Sequence, residues 1–89
     1  MAESKIHNAT RALLQFGSQT LAALSHDNIY TGVTSLNSAV LPFIGTYNSS
    51  SVLDIQLNTV WNGSQWIIGM RNPRSDEVTF YVSAHVITI

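Results

Sequence analysis

Six polar side chains carry most of the chemistry this chain could do: His26, Asp27 and Asn28 in one break of the apolar pattern, Tyr47 beside a second, and Arg74 and Asp76 in a third. Asp, Asn and Arg present paired donors or acceptors that match adjacent hydroxyls, and an aromatic ring covers the apolar side of a sugar. These six are therefore the candidate ligand-binding residues. Asp27, Asp76 and Glu77 are also the loop acids that acid–base catalysis would use, but nothing in the sequence indicates burial or a nucleophile beside them. The chain has no cysteine, no phosphate-binding glycine loop and no Gly-x-Ser-x-Gly turn. No catalytic residue is assigned, and the expectation is a binding domain, not an enzyme. His7, His26 and His85 fall in three separate segments without metal-ligand spacing, so no metal and no other cofactor is expected.

Composition narrows the partners. Only 10% of the 89 residues are charged and the net charge is −1, which lacks the basic footprint that neutralises phosphates, so nucleic acid is not expected as a partner. The longest apolar runs, Leu21–Leu24 and Ala39–Ile44, fall far short of the roughly 20 residues that span a bilayer, and membrane insertion is not expected either. Met1–Lys5 does not lead into an apolar signal core. Polarity comes instead from 11 Ser, 8 Thr and 7 Asn, a balance suited to β-structure with polar turns, while 45% hydrophobic content points to a packed core. A chain this short buries only about 60–65% of its unfolded surface. With no disulfide or metal to add stability, association with further copies is the remaining device.

The elements that must position the polar residues follow from period-two alternation. Leu53, Ile55, Leu57 and Trp61 alternate with Asp54, Gln56 and Asn58; Val78, Phe80, Val82, Ala84 and Val86 alternate with Thr79, Tyr81, Ser83 and His85. Between these strands, Asn62-Gly63 predicts a tight type I′ hairpin turn, and Trp66–Arg71 continues as a strand that ends at Asn72-Pro73. Upstream, strands are expected at about residues 13–23, 29–36 and 40–47, with Gly17 as a bulge and turns at Ser25–Asn28, Asn37-Ser38 and Asn48–Ser51. Residues 1–12 read as a linker and 13–89 as the domain. The predicted architecture is a six-stranded antiparallel β-sandwich.

Antiparallel succession places the 25–28, 48–51 and 72–77 loops at one pole. That pole gathers His26, Asp27, Asn28, Tyr47, Asn48, Arg74, Asp76 and Glu77 into a polar rim. Trp61 and Trp66 flank the hairpin turn, and such a pair either packs, on each other or into the core, or stays exposed to stack on a sugar; packing is the expectation. His85 is placed on the outer face of the last strand.

The run from Gly17-Ser18-Gln19-Thr20-Leu21 through Tyr30-Thr31-Gly32-Val33 and Pro42 to Phe80–Ile87 resembles the six-stranded H-type lectin architecture, and similar domains terminate many phage tail fibres. The likeness covers about 75 residues and lies in strand rhythm. It implies a homotrimer on a virion tail fibre, or alternatively an extracellular setting, that binds a cell-surface glycan or cell-wall polymer. Asp27 in the first loop and Arg74 and Asp76 in the last would contribute to the sugar site. The Trp-His pair of that family's final loop has no counterpart in Asn72–Glu77. The alternative is a virion decoration or fibre-assembly module without a small ligand.

Overall fold

The computed structural model describes residues 10–47 and 54–89 and contains six strands: β1 Thr10–Leu21, β2 His26–Tyr30, β3 Ser38–Tyr47, β4 Gln56–Trp61, β5 Trp66–Arg71 and β6 Val78–Thr88. They form two three-stranded antiparallel sheets, ordered β1-β6-β3 and β2-β5-β4, so each sheet has its most apolar strand in the middle. This is the β-sandwich that the alternation predicts. A central strand is paired along both edges and covered on its inner face by the other sheet, which is why β5 and β6 carry the most buried side chains.

The inward set of β6, Val78, Phe80, Val82, Ala84 and Val86, is buried along its whole length. Leu21 and Val40 add to it from the flanking strands, and Ile29, Ile68 and Met70 close over it from the other sheet. Trp66 and Leu57 pack against this core from the side. Trp61 meets Trp66 edge-on, with ring centroids 5.6 Å apart and planes at 65°, and the Trp66 indole donates Nε1–H to the Ser35 carbonyl at 3.0 Å. The packed alternative for this pair is the one observed.

Bulges decide which residues face inward. The β1 register slips between Gln15 and Gly17, where Gly17 adopts φ +81°, and the β3 register slips between Ile44 and Thr46. Both slips flank Val82, which pairs with Gly17 on one side and Ile44 on the other. One extra residue in each strand reverses its inward parity there, since side-chain direction has period two. Gly17 was readable as a bulge, whereas its partner at Gly45 was not.

Several expectations need correction. Strand β1 begins at Thr10, before residue 13, because Thr10, Arg11 and Ala12 pair with Thr88, Ile87 and Val86. The segment expected to run as a strand over residues 29–36 is extended only to Tyr30. Beyond it Gly32 turns at φ +77° and the chain folds over Trp66, held by Thr31 Oγ1 donating to the Trp66 carbonyl at 2.7 Å and Trp66 N–H donating to the Val33 carbonyl at 2.9 Å. The hairpin between β4 and β5 has four loop residues instead of two. Only Gly63 in it takes a positive φ, and Asn62 Oδ1 accepts from Ser64 N, Ser64 Oγ and Gln65 N. A side-chain turn around Asn62 thus replaces the type I′ geometry.

Asn72 closes the loop pole. It is fully buried, and its Nδ2 donates to the carbonyls of Leu21 (3.3 Å), Ala22 (3.2 Å) and Asp76 (2.8 Å) while its Oδ1 accepts from Arg74 N at 3.0 Å. One amide therefore ties the end of β1 to the loop between β5 and β6. Asn72→Ala leaves these buried carbonyls without their donor, and the expected loss is about 2–3 kcal/mol of unfolding free energy in urea titrations. A loss below about 1 kcal/mol would show that water replaces the amide.

Candidate functional site

The structure brings the loops after β1 and after β5 together at the polar pole, where Arg74 pairs with Asp54 and Asp76. Leu24 N–H donates to the Arg74 carbonyl and Asn72 N–H to the Ser25 carbonyl, both at 2.9 Å, so the loops after β1 and after β5 touch. Arg74 Nη1 donates to Asp54 Oδ2 at 2.5 Å, and Arg74 Nε donates to Asp76 Oδ1 at 3.1 Å. The carboxylates raise the Arg74 pKa above the ordinary guanidinium value, the Asp54 hydrogen bond contributing most and that of Asp76 next. Exposed pairs of this kind contribute little to stability. Glu77 is exposed beside them. Tyr47 ends β3 opposite Phe80 in the register, and its side chain lies outside the described residues, as does the whole of Asn48–Ser51.

His26, Asp27 and Asn28 occupy strand β2 and not a loop. They pair with Arg71, Met70 and Gly69 of β5, and β4 supplies Gln56, Leu57 and Asn58 on the other side of the same three residues. Because Ile29 and Ile68 point into the core, His26, Asn28, Gln56, Asn58, Gly69 and Arg71 share the outer face. An open depression of about 480 Å³ lies there, bounded by these six residues with Asp27, Leu57 and Met70 at its margins.

Gly69 makes the depression. It is the middle outward position of the middle strand, with Asn28 across one ladder and Asn58 across the other. Its φ is not among the positive ones, so nothing in the backbone requires glycine. What the glycine leaves is room for Asn58: a Cβ at this position would stand 2.2 Å from Asn58 Oδ1, which would have to turn away, and 3.7 Å from Asn28 Oδ1. A glycine inside a strand marks a close approach of other groups, and here two amides lean over bare backbone.

The outer face is graded along β5. At the loop pole the cross-strand row is His26, Arg71 and Gln56; next comes Asn28, Gly69 and Asn58; then Tyr30, Ile67 and Val60. Ile67 is 7% exposed although it lies outside the core cluster, whereas Tyr30 and Val60 are 63% and 52% exposed. The face thus offers a guanidinium, two amides above a glycine floor, and an aromatic ring beside aliphatic side chains. Such a set can orient hydroxyls and cover the apolar side of a ring, and among the described residues no group of three or more metal-ligating side chains is found.

Of the six residues chosen from sequence, His26, Asp27 and Asn28 border this depression, while Arg74 and Asp76 sit in the ion-pair cluster at its pole. Sequence reasoning missed Gln56, Asn58, Gly69 and Arg71. Gly69 within the apolar run Trp66–Met70 was the available signal. Comparison with known proteins gives no match to a family model, a curated protein or a solved structure.

Proposed function

We propose that this domain is a non-catalytic recognition module that binds a cell-surface glycan or cell-wall polymer, as the tip of a viral tail fibre would. The observation that carries this reading is the amide-walled floor at Gly69, where Asn28 and Asn58 flank partly buried backbone in the middle of a sheet. Side chains on strands hold their positions better than side chains on loops, and paired amides match paired hydroxyls. The rim residues Arg74 and Asp76 border the same pole and are part of the proposed surface.

The other sheet supports association. Its outer face exposes Leu13, Leu41, Phe43 and Tyr81, with His85 stacked on Phe43 at 5.1 Å and 22°. A depression of about 450 Å³ opens among Leu13, Phe43 and Tyr81 beside the bulge glycines Gly17 and Gly45. An apolar patch of this kind fits a homo-oligomer, a trimer in the fibre setting, leaving the β2-β5-β4 face free. Weak single sites then gain avidity from their number.

The test is binding of the assembled protein to an array of glycans and isolated cell-wall polymers, with the mass in solution measured alongside. Retention on at least one carbohydrate by an oligomer supports the reading. Silence across the array from a correctly folded oligomer favours an assembly module that uses the apolar face alone. A monomer that binds carbohydrate would keep recognition and remove the fibre setting.

A further inference from the structure

We infer that the ligand of the β2-β5-β4 face is an anionic saccharide chain whose carboxylate or phosphodiester lies at Arg71 while its ring lies against Tyr30. This inference rests on the carbohydrate reading above and adds the ligand's charge and its direction along the groove.

Arg71 and Arg74 differ in how their charge is met. Arg74 is held by Asp54 and Asp76, so its charge is met within the protein. Arg71 has no carboxylate within ion-pair distance among the described residues. It is exposed, with His26 and Gln56 beside it in the register. Asp27, the acid nearest along β2, pairs with inward-facing Met70, and its Oδ1 accepts from Asn28 N–H at 2.8 Å. An exposed guanidinium fork matches a carboxylate or phosphate in bidentate fashion, which a neutral sugar cannot reciprocate with charge.

Direction follows from the strand. Outward positions along β5 recur about every 7 Å, so the three stations at Arg71, Gly69 and Ile67 span roughly 13 Å. Only the first is cationic, the second is amide-walled, and the third pairs Tyr30 with Val60 across Ile67. A chain laid along β5 would place its acid group at the loop pole, its hydroxyl or acetamido groups over Gly69, and its ring beyond.

Three probes separate the possibilities in calorimetric titrations of the full chain at low salt: an oligoglucuronate, a poly(glycerol phosphate) and a neutral glucan of matched length. At least one anionic probe should bind about tenfold or more tightly than the glucan, with the preference shrinking as salt is raised. Arg71→Gln should remove that preference, Arg71→Lys should keep part of it, and Arg11→Gln, on β1 of the other sheet, should leave it unchanged. Which anionic probe wins distinguishes a carboxylate from a phosphodiester. Equal affinity for all three probes, or a preference that survives Arg71→Gln, overturns the inference while leaving glycan recognition standing. Failure of every probe to bind, together with a silent array, removes both.

Discussion

Replacing Phe80 by alanine should cost about 3–5 kcal/mol of unfolding free energy, the range for deleting a fully buried aromatic. Phe80 has no exposed surface and occupies the central strand of the longer sheet, between Gln19 on β1 and Tyr47 on β3 in the register. A domain of this length has roughly 4–13 kcal/mol to lose, so a substantial unfolded fraction is expected whenever native stability lies in the lower half of that range. Phe80→Leu keeps most of the volume and should cost less than about 1.5 kcal/mol. Urea titration of both variants reads the difference directly. A Phe80→Ala loss below about 1 kcal/mol would mean that the two sheets do not pack as described.

The second large effect is on binding, not on stability. Gly69→Val should leave the fold within about 1 kcal/mol of the parent, because the backbone there is ordinary strand and a β-branched residue suits it. The group that a new Cβ meets is the tip of the Asn58 side chain, which can turn away. Turning it away removes one amide from the groove while the isopropyl group fills the floor, so carbohydrate affinity should fall by about 100-fold or more. Gly17→Val supplies the contrast. Gly17 has φ +81° and lies on the other sheet, so that change should cost stability and spare binding. Binding unaltered in Gly69→Val would place the ligand elsewhere.

How much of this was legible in the sequence depended on which strand carried the signal. β5 and β6 are central strands whose inward faces are wholly apolar, so Trp66–Arg71 and the alternation from Val78 fix both their extent and their facing. β2 is an edge strand with a single buried residue, Ile29, and His26-Asp27-Asn28 therefore reads as a turn although it pairs with β5. Turn-forming residues are tolerated there because an edge strand leaves one side open to solvent.

The site was less legible than the fold for a related reason. Gln56 and Asn58 look like the wet side of an amphipathic strand, and only cross-strand register reveals that Asn58 and Asn28 stand on either side of Gly69. Asn72 marks a strand end in sequence, yet it is the buried amide that joins two loops. Arg74 stands alone in its loop in the sequence, and only the fold brings Asp54 to it from 20 residues away. Local pattern reports which way a side chain points, but not what stands opposite.

A nitrogen-15 resonance titration with the tightest-binding saccharide tests the site assignment most directly. Perturbations should concentrate on Asn28, Asn58, Gly69 and Arg71 and extend to Tyr30, with little change at Leu13, Leu41 or His85 on the other sheet. Perturbations confined to the apolar face of β1-β6-β3, or a saturable ligand that leaves Gly69 unmoved, would contradict it.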